Sequence, residues 1–226
     1  MIPSETQTSL ERLPAGVARS LPLWEIASVI TSCLIAEWAV LVFVGRSKLV
    51  MAIPITLALA LMSFSHRERG ETSRDLGLRT DNFLTSCRLL LLPTLLAVFL
   101  IITFGWSTSH GSFGAPWRWR FAALPLWALF QQYALNGFIN RRAQMALGAG
   151  WKSIALVAIA FSILHLPSPT LALLTLAAGA VWAFVYQRAS NLYALALSHT
   201  AVSLALALTV SQHWLNGLRV GFKYFG

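Results

Sequence analysis

The chain has 226 residues, of which 57% are hydrophobic and 11% are charged, and its mean hydropathy is +0.66. Roughly a quarter of the residues in soluble domains are charged, so this composition excludes an ordinary soluble domain and indicates an integral membrane protein. The formal charge of +9 does not indicate nucleic-acid binding, because the basic residues lie in short loops between apolar segments.

Seven apolar segments predict membrane-spanning helices, since about 20 helical residues cross a hydrocarbon core of about 30 Å. These segments are 22–45, 49–64, 87–105, 121–140, 151–166, 169–187 and 191–211. We therefore expect an all-α fold, a polytopic transmembrane helical bundle with about seven spans, within a range of about six to eight. In this arrangement residues 1–21 are a cytoplasmic N-terminal segment, 22–215 a single membrane domain and 216–226 a C-terminal tail.

The loop charges predict the orientation, because cytoplasmic loops carry an excess of Lys and Arg. One side of the seven-span arrangement holds the larger group: Arg12, Arg19, Arg67, Arg69, Arg74, Arg79, Arg88, Arg141, Arg142, Lys152 and Arg188. The other side holds Arg46, Lys48, Arg118, Arg120, Arg219 and Lys223. We expect a cytoplasmic N-terminus, an external C-terminus and residence in a bacterial-type inner membrane.

The longest polar segment begins at Ser65 and is too short and too charged for an independent domain. Within it, the Thr72 hydroxyl is placed to cap a turn that begins near Asp75. The two cysteines, Cys33 and Cys87, lie far apart in apolar sequence, so neither a metal site nor a disulfide is expected from them.

Polar side chains recur at helical spacing in three of the apolar segments. The fourth segment carries Gln132, Asn136 and Asn140 with Gln131 on their flank, the fifth carries His165 one turn after Phe161, and the seventh carries Ser203 one turn after His199. Residues four apart share a helix face, so each segment has one polar face. Such faces are costly against lipid, and we expect all three to turn toward one interior site.

These residues resemble the three signature segments of the CAAX prenyl-protease and bacteriocin-processing (CPBP, or ABI) family of intramembrane endopeptidases. The matching stretches are "QQYALNGFINRR", "FSILH" and "VYQRASNLYALALSHTAVS", and "RDLGLR" from Arg74 is similar to the polar segment before the family's core. In order and spacing the resemblance covers residues 65–205. The resemblance implies a multi-helix membrane bundle that cuts peptide bonds in or near the membrane.

The chain departs from the family pattern at its acidic positions. Gln131 and Gln132 stand where the family has two glutamates, Asn136 stands at its arginine and Ser203 at its last polar position, which is Asn or Asp. Carried over residue by residue, the resemblance gives Gln131 the water-activating position, with Gln132 and Asn136 in supporting positions. His165 takes the role that assists water activation, while His199 and Ser203 take the positions that hold the developing oxyanion.

No carboxylate follows Asp81 in the chain, so the three signature segments contain no acid. A carboxamide donates and accepts hydrogen bonds but takes no proton near neutral pH. Three substitutes for the missing base are open: a histidine, Glu37 leaning in from the first segment, or a metal on the two histidines, for which two ligands without a thiolate or carboxylate make a poor zinc site. For Glu37 we otherwise expect a structural partner such as Arg141 or a histidine. We expect no cofactor and no metal.

Two functions remain open at this stage. In the first, the chain is an endopeptidase that acts on a membrane-associated peptide or protein; in the second, it is a catalytically inactive relative that binds a peptide or lipidated partner in processing, immunity or sorting. If the chain is inactive, its amides serve as hydrogen-bonding links between helices, which is their common role in membranes. A small-solute transporter is a third class, but the sequence shows neither the internal repeat nor the paired interrupted helices of that class. The expected partners are membrane lipid and a membrane-associated peptide or protein, with no nucleic acid.

Overall fold

The computed structural model describes residues 15–40, 48–108 and 122–225, which form helices and turns with no strand among them. The helices in chain order are α1 (Ala15–Leu34, continued as a π-helix over Ile35–Val40), α2 (Lys48–Glu68), α3 (Phe83–Thr108), α4 (Leu124–Gln132, the π-helical Tyr133–Asn140 and Arg141–Leu147), α5 (Trp151–Ile163), α6 (Pro169–Arg188), α7 (Leu192–Thr209) and the short α8 (Gln212–Leu215). Two 3₁₀ turns follow, Asn216–Leu218 and Gly221–Phe225. The predicted all-α class is confirmed, although α1 begins at Ala15, inside the segment expected to precede the membrane domain.

Four helices of the described residues are long and apolar enough to cross a membrane: Ser20–Ala39, Phe83–Thr108, Pro169–Arg188 and Leu192–Thr209. The apolar helix α5 is shorter, with 13 residues. Together these helices give an integral membrane protein. They do not fix the number of spans, so the count of seven stays a prediction.

The central helix of the bundle is α7, which packs against α3 and α4, while α5 packs against α6 and α1 packs against α2 and the last part of α4. The contact between α5 and α6 is close because Gly179 has no side chain. A Cβ at Gly179 would lie 3.2 Å from the Cα of Ala158. Small residues allow such close backbone approach where helices have no hydrophobic drive to associate. Residues of α4, α5, α6 and α7 share one hydrophobic core.

The segment between α2 and α3 is tied to the turn between α6 and α7. The backbone N–H of Leu192 donates to the Gly77 carbonyl at 2.8 Å, and the Tyr186 hydroxyl donates to the Leu76 carbonyl at 3.0 Å. Gly77 has φ +87°, and its Cα faces the Tyr186 ring, so a side chain there would be both strained and crowded. The stretch that resembles the family's polar segment is therefore part of the same unit as the helices that carry the motifs.

The predicted cap at Thr72 is confirmed. The Thr72 backbone N–H and hydroxyl donate to the Asp75 carboxylate at 2.8 and 2.6 Å, and the Asp75 N–H donates back to the Thr72 hydroxyl at 3.3 Å. The hydrogen bonds from Thr72 lower the pKa of the Asp75 carboxyl below its usual value.

A buried ionic cluster joins one end of α1, α2 and α4. Arg142 is fully buried, and its guanidinium lies 2.9 Å from the Glu25 carboxylate and 2.8 Å from that of Glu71. Arg141 binds Glu71 at 2.7 Å, and His66 donates to Glu71 at 2.5 Å. We call these five residues the ionic cluster. The expectation that Arg141 pairs with Glu37 is wrong, because the guanidinium of Arg141 binds Glu71 instead.

Glu71 is the carboxylate that holds the ionic cluster together. Burial opposes its ionisation, but the hydrogen bonds from His66 and from the two arginines outweigh burial. The net result is a pKa of the Glu71 carboxyl well below its usual value. Charged groups buried in this way are stable when each one has a partner of opposite charge.

Candidate functional site

The carboxamides of α4 form a continuous ladder of hydrogen bonds. The Asn136 Nδ2 donates to Gln132 Oε1 at 2.7 Å, and the Asn140 Nδ2 donates to Asn136 Oδ1 at 2.9 Å. All three side chains are fully buried. Their spacing of four residues falls on the π-helical part of α4, where the wider turn keeps such residues nearly in line. The predicted common polar face of α4 is confirmed.

The end of this ladder at Gln132 contacts the imidazole of His199 on α7. The Gln132 Nε2 lies 3.2 Å from His199 Nδ1. Trp182 of α6 lies beside the imidazole, with ring centroids 4.4 Å apart and planes inclined by 31°. The indole is itself fixed, because its N–H donates to the Ser198 hydroxyl at 3.1 Å. His199 is thus held by a hydrogen bond on one edge and an aromatic ring on one face.

His165 lies in the turn that ends α5, and its Nδ1 is 2.7 Å from the backbone carbonyl of Phe161. The Phe161 ring contacts both histidines. Its centroid is 4.7 Å from that of the His165 ring and 6.0 Å from that of the His199 ring. The structure therefore brings His165 and His199 against one phenyl ring, without a direct hydrogen bond between them.

Ser203 shares a small cavity with His199, as their spacing of one turn on α7 predicts. The cavity has a volume of about 70 Å³ and is also lined by Phe161, Trp182 and Leu218. A water molecule occupies about 30 Å³ of liquid, so this space has room for about two waters.

Gln131 stands apart from the ladder. Its side chain is partly buried, and no hydrogen bond links its carboxamide to the described residues. Gln131 lies about 100° around the helix from Gln132, so it faces a different side of α4. Of the six predicted site residues, the structure joins Gln132, Asn136 and His199 by hydrogen bonds, joins His165 and Ser203 to them through shared neighbours, and leaves Gln131 on the flank.

Glu37 makes no hydrogen bond with either histidine. Its Oε2 is buried without a partner among the described residues. Glu37 instead packs against the 3₁₀ turn Gly221–Phe225, since a Cβ at Gly221 would lie 2.7 Å from the Cβ of Glu37. Gly221 in turn donates its N–H to the Leu166 carbonyl at 2.8 Å. Glu37 therefore lies behind the turn that carries His165, and the histidine partner predicted for it is not found.

The described residues contain no group of three or more His, Cys, Asp or Glu side chains that could hold a metal ion. His165 and His199 are only two ligands, and they do not by themselves provide the three or four protein ligands of a zinc site. The expectation of a site without metal or cofactor remains a prediction.

The ladder continues beyond Asn140 to two residues that were not predicted from the sequence. Gln144 donates to Asn140 Oδ1 at 3.2 Å, and Gln187 of α6 donates to the same oxygen at 3.0 Å. Gln144 could have been found, because it continues the four-residue spacing of the ladder. Gln187 gave no such signal, since its sequence position at the end of α6 resembles that of any polar residue near a loop.

The comparisons with known proteins bear on the same region. Residues 113–205, somewhat less than half of the chain, match the family model described as type II CAAX prenyl endopeptidase, Rce1-like. All six predicted site residues lie within the matched stretch. Neither the comparison with curated proteins nor the comparison with solved structures gave a match. The family match agrees with the motifs and their spacing, and over residues 113–205 this integral membrane chain is similar to the type II CAAX prenyl endopeptidases.

Proposed function

We propose that this chain is an intramembrane endopeptidase that hydrolyses a membrane-associated peptide or protein, with His165 as the base. One observation carries the proposal. The Phe161 carbonyl can only accept a hydrogen bond, so the Nδ1 of His165 that contacts it at 2.7 Å must carry the proton. The other ring nitrogen, Nε2, then has a lone pair, which is what a general base needs.

The hydrolysis proceeds through groups that the chain supplies. Water gives its proton to His165 Nε2 as its oxygen bonds to the carbonyl carbon of the scissile peptide. The carbonyl oxygen becomes an oxyanion, which accepts hydrogen bonds from His199 and the Ser203 hydroxyl. When the carbon–nitrogen bond breaks, the proton on His165 passes to the leaving amine. Gln131, on the flank of α4, orients the water, while Gln132 and Asn136 hold His199 in place.

The size of the cavity constrains how the substrate enters. A volume of about 70 Å³ admits water but no peptide. Leu218, which closes one side of the cavity, belongs to the 3₁₀ turn Asn216–Leu218 after α7. Displacement of this turn admits a peptide from the membrane. Membrane lipid is the second partner that we propose. Nucleic acid has no part in this function.

The alternative is a catalytically inactive relative that binds a peptide or lipidated partner in the same pocket. It is favoured by the absence of any carboxylate after Asp81, and by the lack of a hydrogen bond from Glu37 to either histidine. Loss of a positioned base costs about 10² to 10⁴ in rate, so such a relative is inactive unless a histidine replaces the acid.

We also propose that the N-terminus is cytoplasmic and that the membrane is a bacterial-type inner membrane. The excess of loop Lys and Arg on the side of the N-terminus supports this orientation. In this orientation the ionic cluster lies at the cytoplasmic end of the bundle, which is also where a buried charge is nearest to water.

The experiment compares peptide hydrolysis by the purified chain in lipid with that of single-residue variants, using a library of membrane-associated peptides. His165→Ala is expected to lower the rate by about 10² to 10⁴, because it removes the base. His213→Ala is the matched control, since this exposed histidine packs on Trp214 outside the site. It is expected to leave the rate unchanged.

Two results would contradict the endopeptidase proposal. One is hydrolysis that survives in His165→Ala at the parent rate. The other is a parent chain that cleaves no peptide, while Gln131→Glu or the Gln131→Glu/Gln132→Glu pair gains activity, because an added carboxylate then supplies a base that the parent lacks. The second result would establish the inactive-relative alternative.

A further inference from the structure

We infer that a one-way chain of hydrogen bonds, running from the backbone of Gly150 to α7, holds His199 as its Nε2–H tautomer. The tautomer of a histidine does not follow from heavy-atom positions alone, because the two ring nitrogens look alike and the amide groups beside them can be flipped. Here the direction of every bond in the chain is set by backbone groups whose role is fixed.

The first fixed point is the N–H of Gly150, which can only donate. It lies 2.9 Å from Gln187 Oε1, so this end of the Gln187 amide is the oxygen. The Nε2 of Gln187 is then the donor, at 3.0 Å from both Asn140 Oδ1 and the Ser153 hydroxyl. Both of its hydrogens are used, so Asn140 presents an oxygen to Gln187.

The second fixed point is the backbone carbonyl of Ala183, which can only accept. It lies 3.2 Å from the Nδ2 of Asn140. A flipped Asn140 would set two oxygens against each other at Ala183 and two NH₂ groups against each other at Gln187. The two fixed points are independent, and both assign the same orientation to Asn140.

From Asn140 the direction passes without a branch to α7. The Asn140 Nδ2 donates to Asn136 Oδ1, the Asn136 Nδ2 donates to Gln132 Oε1, and the Gln132 amide therefore turns its Nε2 toward His199 Nδ1. An NH₂ group can only donate, so Nδ1 is an acceptor and the proton is on Nε2. The three amides are fully buried, where no water can repair a reversed bond.

The two histidines are therefore held in opposite tautomers. His165 carries its proton on Nδ1 and offers a lone pair, while His199 carries its proton on Nε2 and offers a donor beside the cavity that it shares with Ser203. Asn140 and Gln187, which touch neither the cavity nor a histidine, are positioning residues in this device. The tautomer of His199 follows from the hydrogen bonds alone. Its role in catalysis rests on the proposed function.

The tautomer of His199 depends on a carboxamide at position 132. A glutamate there would accept from Asn136 and would accept from His199 as well, since a carboxylate has no hydrogen to donate. His199 would then need a proton on Nδ1. Gln132→Glu is thus expected to reverse the tautomer or to protonate both nitrogens, whereas Gln132 keeps the Nε2 of His199 as the donor.

The experiment is nitrogen NMR of the full chain in lipid bilayers with ¹⁵N-labelled histidine, without substrate. The signals of His199 are assigned by their loss in His199→Gln. We expect His199 to be neutral with Nε2 protonated, in about tenfold or greater excess over the other tautomer, since the reversed form leaves unmatched buried groups. Gln132→Glu is expected to place a proton on Nδ1 of His199. Asn136→Leu interrupts the line of hydrogen bonds and is expected to bring the two tautomers of His199 to comparable populations.

Gln144→Leu is the matched control, because Gln144 donates to Asn140 from the side and is not in the line to His199. It is expected to leave the tautomer as in the parent. The Nδ1–H signal of His165 reports in every variant that the fold is intact. The inference is overturned if the parent holds His199 as Nδ1–H or as an even mixture, or if Gln132→Glu and Asn136→Leu both leave the parent ratio unchanged in folded protein. Because no hydrolysis is measured, failure of the endopeptidase proposal leaves this readout untouched.

Discussion

Two polar networks share helix α4, and they solve the burial of polar groups in different ways. The carboxamide ladder uses neutral amides between Gln132 and Gln144, whereas the ionic cluster, which includes Arg141 and Arg142 of the same helix, uses full charges. A neutral amide buried with its hydrogen bonds satisfied costs little, while an ion in hydrocarbon is costly unless it is paired and near the interface. The difference teaches that one helix can bury polar groups in two ways, as neutral amides joined in a line of hydrogen bonds or as charges paired with opposite charges.

The ionic cluster is expected to be the more fragile network when one member is removed. Arg142→Met leaves Glu71 and the partly exposed Glu25 without their shared partner, while Arg141 still binds Glu71 and Arg69 still binds Glu25. We expect the free energy of unfolding to fall by about 3 kcal/mol, the lower end of the cost of breaking a buried ion pair. The measurement is unfolding of the purified protein in detergent by increasing dodecyl sulfate.

The control for this change is Arg188→Met, which also removes a guanidinium. Arg188 is exposed at the end of α6 and lies over the Phe184 ring at 4.1 Å. Its loss is expected to cost at most about 1 kcal/mol. Equal losses in the two variants would show that burial of Arg142 adds nothing to its contribution.

The ladder is expected to lose less when it is cut. Asn140→Leu removes the side chain that bonds to Ala183, Asn136 and Gln187, and it leaves their polar groups unmatched. We expect a loss of about 1–3 kcal/mol in the free energy of unfolding. Gln144→Leu, at the partly exposed end, provides the comparison and is expected to cost less. A larger loss for Asn140→Leu than for Arg142→Met would reverse the ranking of the two networks.

The sequence predicted these two networks unequally. The ladder was visible because α4 repeats amides at a spacing of four, and the helix pattern alone places Gln132, Asn136 and Asn140 on one face. The ionic cluster was not visible, since Glu25 and Glu71 lie far from Arg142 in sequence and meet it only when α1 and the segment after α2 pack on α4. Arg142 reads as an ordinary interfacial residue until this packing is known.

The same limit explains the outcome for the site. Motif spacing predicted that His165 and His199 belong together, because each follows from a local pattern on its own helix. The contact of both histidines with the Phe161 ring and the Gln187 link to the ladder depend on how the helices pack, which no local spacing encodes. The helix segments were predicted well for the opposite reason, since length and apolarity are local properties.

Acid is expected to weaken the ionic cluster and to leave the ladder unaffected, because amides do not titrate. Glu71 has a lowered pKa in the folded chain, so its ionised form stabilises the fold above the usual glutamate pKa of about 4.3. As the pH falls below that value, the unfolded chain takes up the proton first and the free energy of unfolding falls, by under about 1 kcal/mol at pH 4. Glu71→Gln removes this part of the pH dependence, whereas Glu68→Gln, at an exposed residue, preserves it. The contradicting result is an unfolding free energy that depends on pH in the same way in the parent and in Glu71→Gln between pH 7 and 4. Glu71 would then have the same proton affinity in the folded and the unfolded chain. The arginines beside it would contribute to the packing of α4 and not to the ionisation of the carboxylate.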